Sequence, residues 1–357
     1  MTHVEHRAPQ PPFFSICIPH HNRTGLLIDA LRVLEAQSFK SVEVCISDDC
    51  STDGKQAELL AFLTASDLAW CYRTTATNLR YDANTRHAIS MATGRFVILF
   101  GNDDCLTHVD TLKNLHAMLT AEPDAGVLIG NFEDWRTGAV AQRIRHSSVY
   151  AGTPLTGATH FRNMAFVSGL VVEREAALQH ASDKWDGAEM YQMFILCRII
   201  ASGRKLVETT ESLSRKDMVS SGDFVDSYAK RQRLNPCPVI PRIMPFVHIG
   251  RLVADSISVY QQPEARQRER CVIFRQLYRF TYPFWILEYR RVQSWKYALG
   301  IVLGIRPRHV VGDVDVGWLG RLELTLLWAA VSITGLLMPL GMFDAMRGML
   351  YRLSRSR

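Results

Sequence analysis

Short apolar runs alternate with mixed polar and apolar stretches along the first third of the chain. The apolar runs predict strands at 13–18, 42–47, 68–73, 96–100 and 126–129, and the stretches between them predict helices at 25–36, 54–63, 82–91 and 109–119. Continuous apolar strands that alternate with helices are typical of a parallel sheet covered on both faces. The pattern therefore predicts an α/β domain, with Thr24 and Asp53 as N-caps of the first two helices.

The pattern changes further along the chain. Polar residues dominate 131–150, an apolar run predicts a strand at 168–172, and a mostly apolar helix is predicted at 190–201. A broken junction follows, marked by Pro236, Pro238, Pro241 and Pro245. We expect a disordered N-terminus at 1–12, an α/β domain at 13–222 with halves 13–130 and 131–222, and a helical region at 223–357.

The helical region contains an uncharged apolar segment at 324–343, which is long enough to cross a bilayer. Serine, threonine, glycine and proline dilute its apolar character, and four arginines follow it. A single span from the cytoplasm would place those arginines outside, against the positive-inside tendency. A helix at the membrane surface, a re-entrant helix or a hairpin with 297–305 fits the charges better. A true span and a buried core helix remain open.

Basic residues are concentrated just before this segment. The chain has 357 residues, is 47% hydrophobic and carries a net charge of +6, yet 265–308 alone holds ten lysines and arginines against Glu269 and Glu288. Such a block predicts an anionic partner. Because it lies beside an apolar run and lacks a nucleic-acid-binding motif, we expect an anionic membrane surface and no nucleic acid.

The eight cysteines are scattered, and none forms a CxxC pair. Their spacing gives little support to zinc or redox motifs and favours free, buried thiols in a reducing cytoplasm. Residues 1–12 are polar and proline-rich, so we expect no secretory signal peptide.

Polar side chains follow three of the predicted strands. Pro19-His20-His21-Asn22 ends the first, Asp48-Asp49 ends the second, and Gly101-Asn102-Asp103-Asp104 ends the fourth. Ligands of open α/β sheets bind beyond the carboxyl ends of the strands. Carboxylates at that edge suit a divalent cation and a diphosphate, because hard cations take oxygen ligands and bridge to phosphates.

The order and spacing of these motifs resemble the family 2 glycosyltransferases of the GT-A fold. The resemblance rests on 14–19, on Asp48-Asp49-Cys50-Ser51-Thr52-Asp53-Gly54, on 78–84 and on 93–104. It covers roughly 13–106 and runs more loosely to about 207. It implies a Rossmann-like nucleotide-binding domain that transfers a sugar, with inversion, from a nucleotide-diphosphate sugar.

The resemblance also implies roles for individual residues. The residues expected on the nucleotide-sugar side are Pro19, His20, Asn22, Asp48, Asp49, Asn84, Asn102 and Asp103. Arg80 and Arg86 are expected either near the diphosphate or on a solvated helix face. The metal motif D-x-D is altered, since Gly101 stands at its first aspartate. Asp103, with Asp104 beside it, is therefore expected to hold Mg²⁺ or Mn²⁺.

The acceptor side is expected around 168–192. Glu189 aligns best with the general base of the family, with Met190 where an aspartate is more common, and Asp186 is the competing candidate. Asp186 as an N-cap and Glu189 as an ordinary first-turn acid are the non-catalytic alternatives. Ser168, Gly169 and Trp185 are expected to line the acceptor.

These features predict an inverting, metal-dependent glycosyltransferase at the cytoplasmic face of the cell membrane. Its acceptor is expected to be a glycan or a lipid-linked glycan in surface polysaccharide or lipopolysaccharide assembly. A nucleotidyltransferase is the enzymatic alternative, although 19–23 lacks the glycine-rich loop that it would need. A non-catalytic scaffold that binds nucleotide or membrane is the third possibility, favoured by Gly101 and Met190.

Overall fold

The computed structural model describes residues 2–7, 9–218 and 245–354. The chain divides into two compact units, Met1–Gly152 with Arg162–Val225, and Thr153–Phe161 with Asp226–Arg357. The predicted boundary at 222 and the junction prolines 236, 238 and 241 lie outside the described residues.

Eleven strands form one sheet within the described part of the first unit. They are β1 (His3–His6), β2 (Phe14–His20), β3 (Val42–Asp48), β4 (Ala69–Thr74), β5 (Phe96–Leu99), β6 (Cys105–Leu106), β7 (Ala125–Asp134), β8 (Val140–Ala141), β9 (Ser148–Tyr150), β10 (Leu170–Glu173) and β11 (Lys205–Lys216). The strand order is β1-β4-β3-β2-β5-β10-β7-β11-β6, with β8 paired to β7 and β9 to β11.

Helices of the first unit connect these strands. They are α1 (Thr24–Glu35), α2 (Gln56–Ala65), α3 (Arg80–Ser90), α4 (Thr111–Ala121), α6 (Arg174–Gln179) and α7 (Tyr191–Ala201), while α5 (Pro154–His160) belongs to the second unit. Leucines of α1, α2 and α4 are fully buried in one core with the apolar residues of β2, β3 and β4. Each buried leucine contributes about 1.5–3 kcal/mol, which is why the apolar pattern locates these elements well.

The parallel sheet predicted from the sequence is present at β4-β3-β2-β5. The sheet as a whole is mixed, because β10 runs antiparallel to both β5 and β7. A short apolar run predicts burial on both faces but carries no information on strand direction, so the sequence did not reveal this reversal.

The N-terminus departs from the expected disorder. His3–His6 forms β1, which pairs antiparallel with the edge of β4. Arg7 then forms an ion pair with the buried Glu43 and donates to the carbonyl of Met91 at 3.0 Å. The expectation of disorder was wrong for this segment. The free edge of β4 and the buried Glu43 carboxylate stabilise it, and both are distant from it in sequence.

One predicted helix cap serves a different helix. Asp53 Oδ2 accepts from the amide and the hydroxyl of Thr24, at 3.1 and 2.7 Å, so it caps α1 rather than α2. Thr24 is the first residue of α1 rather than its N-cap. The cap therefore joins the loops after β2 and β3, which both end at the same sheet edge.

The described helices of the second unit beyond α5 lie in its C-terminal part. They are α8 (Ile249–Ser258), α9 (Arg266–Phe280), α10 (Tyr282–Val292), α11 (Trp295–Gly304), α12 (Pro307–Val310), α13 (Gly317–Leu337) and α14 (Leu340–Ser354).

The apolar segment 324–343 is therefore not one continuous helix. Met338 is extended, at φ −54° and ψ 127°, because the following Pro339 disfavours a helical conformation there. Arg290 caps this break by donating to the carbonyls of Gly335 and Leu336, at 2.8 and 2.6 Å, and to that of Met338.

One helix of the described residues, α13, is long and apolar enough by length and composition to cross a membrane. One of its faces is buried and includes Leu324, Val331 and Gly335. The indole of Trp328 donates to the carbonyl of Val302 in α11 at 2.9 Å, so the predicted hairpin partner 297–305 contacts this helix.

The opposite face of α13 is an exposed apolar stripe. At 100° per residue its members fall within about 100° of arc. They are Trp318, Leu319, Leu322, Leu326, Ile333 and Leu337. We refer to these six residues as the α13 stripe.

Several cations of the basic block are paired. Arg275 donates to both carboxylate oxygens of Glu323, at 2.7 and 2.5 Å, and Arg291 is paired with Glu288 at 3.0 Å. Glu323 lies outside residues 265–308. Counting charges within those residues alone therefore overstated how much positive charge is unopposed.

Candidate active site

The carboxyl ends of β2 and β3 bring the first predicted site residues together. His20 lies opposite Asp48 in the parallel register, and Pro19 lies opposite Ser47. His20 and Asp48 are both buried, whereas Pro19 is partly exposed. The sheet edge thus forms a polar wall at the position that the sequence predicted.

A chain of hydrogen bonds crosses this wall. The Asn102 amide nitrogen lies 3.1 Å from His20 Nδ1 and donates to the carbonyl of Asn22 at 3.0 Å. His20 Nε2 lies 3.4 Å from Thr24 Oγ1, which donates to Asp53 at 2.7 Å. Burial lowers the pKa of His20, against the opposing influence of Asp48 and Asp53. A neutral imidazole with its proton on Nε2 satisfies every bond in the chain.

Asn22 holds the two loops at this edge together. Its backbone is left-handed, at φ 56°, and its amide donates to Ser51 Oγ at 2.8 Å. Its side-chain oxygen accepts from the amide of Thr52 at 2.7 Å. Asn22 therefore shapes the wall, and its side-chain oxygen already has a partner within the protein.

Asp48 and Asp49 are both buried and hydrogen-bonded to the protein. Asp48 accepts from the hydroxyl of Tyr72 at 2.5 Å and from the amide of Ser51 at 2.9 Å. Asp49 accepts from the amides of Leu79 and Arg80, at 2.5 and 2.9 Å. These bonds fix the 49–54 and 75–80 loops, and each carboxylate retains part of its capacity to accept hydrogen bonds.

Asn84 lies below this wall, on α3. Its side-chain oxygen accepts from Ser47 Oγ at 2.5 Å, and its amide nitrogen lies 3.4 Å from the carbonyl of His20. Asn84 is buried, and it contacts the ends of both β2 and β3. Arg80, at the start of α3, is exposed and left-handed, at φ 63°.

Asp103 and Asp104 have different environments. The side chain of Asp103 is 22% exposed and forms an ion pair with Arg23. Asp104 is buried, with one oxygen accepting from Ser168 Oγ and the other from the amide of Asp217 at 3.0 Å. Asp103 is therefore partly exposed, while both oxygens of Asp104 are bonded within the fold.

The electrostatics separate these two carboxylates as well. Burial, and then the neighbouring Asp103, raise the pKa of Asp104 to about 7. Burial also raises the pKa of Asp103, which Arg23 opposes. Of the two predicted ligands, Asp103 is the one that is partly exposed, whereas both oxygens of Asp104 already accept hydrogen bonds.

The carboxylates of Asp103 and Asp104 lie close to where a side chain at position 101 would begin. A Cβ at this position would lie 2.9 Å from Asp104 Oδ2 and 3.2 Å from Asp103 Oδ1. The amide of Gly101 donates to Ser168 Oγ at 2.8 Å. The space that the first aspartate of D-x-D would need is thus occupied by the two later carboxylates.

The predicted base lies on a loop just before α7, and a buried carboxylate holds that loop. Asp82 accepts from the amides of Gly187 and Glu189, both at 2.8 Å, and from that of Tyr191 at 2.9 Å. Glu189 is left-handed, at φ 57°, and its side chain is partly exposed. Helix α7 has no side-chain cap from Met190, so Asp82 supplies its N-terminal acceptor.

Asp186 and Trp185 precede this loop. Both oxygens of Asp186 accept from the Arg86 guanidinium at 2.7 Å, so Arg86 is paired with a carboxylate that precedes this loop. Asp186 does not cap α7, which begins at Tyr191. Trp185 is partly exposed, while Tyr191 is buried under the Arg86 guanidinium, 5.6 Å from its ring centre.

The structure gives Ser168 and Gly169 internal roles. Ser168 is buried between Gly101 and Asp104, as described above. Gly169 has φ +83°, and a Cβ there would lie 3.1 Å from that of Leu213. The glycine is therefore required by the backbone conformation and by the close approach of β11. These contacts account for both residues without an acceptor.

Sequence reasoning missed Arg23, Asp82 and Asp217. Arg23 directly follows the polar residues at the end of β2. Its positive charge near predicted carboxylates was the signal that could have identified it. Asp82 falls in a predicted helix, and Asp217 follows a strand that was not predicted. Neither carries a local signal, because their partners lie more than 100 residues away.

Comparisons with known proteins show which sequences and folds this chain is similar to. A sequence profile described as glycosyl transferase family 2 matches residues 15–184. The abequosyltransferase RfbV of Salmonella typhimurium is 33% identical over 112 residues, which cover 31% of this chain and 33% of that protein. Matches to curated relatives span between a fifth and a third of those relatives' length.

Two solved structures share the fold. The crystal structure of S. aureus TarS 1–349 with UDP has a TM-score of 0.59 at 18% identity, covering 94% of this chain and 91% of the other. The mannosyltransferase PcManGT of Pyrobaculum calidifontis, in complex with GDP-Man and Mn²⁺, has a TM-score of 0.53 at 14% identity, covering 98% and 87%. The profile match and the GT-A-like fold agree, and residues 15–184 carry the match to glycosyl transferase family 2.

Proposed function

We propose that this chain is an inverting glycosyltransferase that moves a sugar from a nucleotide-diphosphate sugar to a hydroxyl of a glycan or lipid-linked acceptor. Surface polysaccharide or lipopolysaccharide assembly is the proposed setting, supported by its relationship to an abequosyltransferase. The observation that carries the proposal is Asp103, a partly exposed carboxylate among buried polar groups at the end of β5.

The donor is proposed to lie against the wall formed by 19–22, 48–54, 78–84 and 102–103. Asp48, Asp49 and Asn84 build this wall through buried bonds, and His20, Asn22 and Asn102 join its loops. Pro19 and Asp103 offer partly exposed groups. Every residue predicted for the nucleotide-sugar side is kept in this proposal. Most of them are proposed to shape the pocket through hydrogen bonds within the protein.

Asp103 is the proposed ligand of a divalent cation, Mg²⁺ or Mn²⁺. When bound, such an ion would neutralise the charge that develops on the departing nucleoside diphosphate. The Mn²⁺ in the complex of the related-fold mannosyltransferase supports this choice of ion. Arg23 holds Asp103 in place, and Asp104, with both oxygens engaged, is proposed to position the loop rather than to bind the ion.

Glu189 is the proposed general base. It would take the proton of the acceptor hydroxyl while that oxygen forms a bond to the anomeric carbon. The bond between the anomeric carbon and the diphosphate oxygen breaks, and its electron pair leaves with the nucleoside diphosphate. Glu189 is preferred to Asp186 because it aligns best with the general base of the family, while both oxygens of Asp186 accept from the Arg86 guanidinium at 2.7 Å.

The second unit is proposed to attach the enzyme to the cytoplasmic face of an anionic membrane. The α13 stripe is a one-sided apolar surface, and its opposite face is buried in the unit. This arrangement favours a helix lying in the interface over a free span. Because several arginines of the basic block are already paired, apolar insertion is expected to contribute more than charge.

Calorimetry with candidate nucleotide sugars and Mn²⁺ tests the proposal. The wild-type protein should bind at least one donor, and Asp103→Ala should lose the Mn²⁺-dependent part of that binding. Asp124→Ala, which removes an exposed carboxylate loosely paired with Lys205 at 3.9 Å, should bind like wild type. Equal donor affinity in wild type and a folded Asp103→Ala would remove Asp103 from the site. Donor binding without any transfer would favour the scaffold alternative.

A further inference from the structure

Three metal-ligating side chains of different types meet at the edge of the sheet, in strands β1 and β4. His3 and Glu5 alternate with Val4 and therefore lie on one face of β1. Glu5 pairs directly with Cys71 of β4 in the antiparallel register. Pairing β1 to β4 thus places an imidazole, a carboxylate and a thiol on the same side of a two-stranded ribbon.

The two distances from His3 to the other ligand atoms match the edges of a tetrahedral zinc site. His3 Nε2 is 3.2 Å from Glu5 Oε2 and 3.6 Å from Cys71 Sγ, and all three atoms lie within 4.8 Å of one another. With bonds of about 2.1 Å to nitrogen, 2.0 Å to oxygen and 2.3 Å to sulfur, tetrahedral zinc places nitrogen and oxygen about 3.3 Å apart and nitrogen and sulfur about 3.6 Å apart. Both observed edges match these values.

We propose that His3, Glu5 and Cys71 bind a zinc ion that ties β1 to β4. Thiolate, imidazole and carboxylate are the ligands that zinc accepts, and this mixture does not suit Mg²⁺ or Ca²⁺. Glu5 and His3 are exposed while Cys71 is buried, so the ion has access from solvent. The fourth position remains open to water. This site lies at the outer strand of the sheet and is independent of the proposed transfer reaction.

The surroundings allow an ion here. Arg7 lies 3.1 Å from Glu5 Oε2 and would be repelled by zinc, but it is also held by Glu43 and by the carbonyl of Met91. It can therefore keep its position while Glu5 ligates. A hydrogen bond from Arg7 to the ligating carboxylate would act as the outer-shell contact that such ligands usually have.

Metal analysis of the full-length protein, purified without a polyhistidine tag, tests this site. Wild type is expected to retain about one zinc ion per chain after gel filtration, and His3→Ala and Cys71→Ser should each weaken zinc binding by about tenfold or more. His6→Ala is the matched control, since His6 lies on the same strand but on its other face. Cobalt substitution gives a second readout, because ligation by Cys71 should produce a cobalt–thiolate absorption band that Cys71→Ser abolishes.

The outcomes decide the proposal. Equal zinc content in wild type and His3→Ala, or equal loss in His6→Ala, would overturn it. Binding without a cobalt–thiolate band would also overturn it, because the ion would not be using Cys71. His3 is exposed, so His3→Ala is expected to fold even if the buried Cys71→Ser does not.

Discussion

The contact between Asp82 and the loop before α7 makes the most demanding prediction. Asp82 uses two oxygens to hold three backbone amides, those of Gly187, Glu189 and Tyr191. Asparagine is nearly the same size but offers only one accepting oxygen. In Asp82→Asn, the oxygen can remain with the two amides that share Oδ2, and the new NH₂ group then faces the amide of Tyr191.

The magnitude follows from that lost acceptor. One buried amide left without a partner costs about 1–3 kcal/mol. Glu189 is also held in a left-handed conformation, which costs a non-glycine residue about 1–2 kcal/mol and persists only while its surroundings impose it. If 1–3 kcal/mol separates the held loop from a relaxed one, turnover should fall about 5- to 150-fold. The donor affinity should change little, because the loop lies on the proposed acceptor side.

Steady-state kinetics and thermal unfolding, measured together, check this reasoning. Asp183→Asn provides the control, because it removes an exposed carboxylate from the same loop. We expect a loss in kcat for Asp82→Asn at temperatures where the variant is fully folded, and no loss for Asp183→Asn. Wild-type kcat in Asp82→Asn, or a loss that tracks only the unfolded fraction, would refute a positioning role.

Three further predictions concern other parts of the chain. Glu189→Gln should lower turnover about 100-fold or more with donor binding retained; a larger effect of Asp186→Asn would move the base to Asp186. Leu322→Glu with Leu326→Glu should abolish flotation with anionic vesicles, whereas Val259→Glu, also exposed, should not; unchanged flotation would exclude the α13 stripe. Burial lowers the pKa of His20, so the unfolded chain binds more protons below about pH 6.5 and wild type should lose stability as the pH falls through that range. His20→Gln should flatten that slope in urea titrations, and an identical slope would contradict the neutral network.

The sequence predicted the elements whose apolar residues face a common core. Strands β2 to β5 and helices α1 to α4 were located to within a few residues because burial of residues such as Leu27 and Val44 imposes a local pattern. Strand β1 was missed because its partner is the edge of β4, and nothing within 1–12 indicates that edge.

The sequence predicted which strand ends carry polar residues but not how those residues are bonded. Strand ends correctly placed His20 beside Asp48, because parallel strands end at one edge. The difference between Asp103 and Asp104 depends on Ser168 and Asp217, which lie 64 and 113 residues away from Asp104. Such partners follow from the folded chain and leave no periodic signal in the sequence.

The packing around Gly101 has a consequence for how this motif can change. Because an added Cβ at 101 would lie 2.9 Å from Asp104 Oδ2, an aspartate there would require the Asp104 carboxylate to shift. That shift would disturb the bonds that Asp104 accepts from Ser168 and from the amide of Asp217. Positions 101 and 104 are therefore expected to be epistatic, so that Gly101→Asp is harmful by itself and tolerated better beside Asp104→Ser. Asp104 thus favours a glycine at 101, and an aspartate there is expected to be tolerated better when position 104 changes as well.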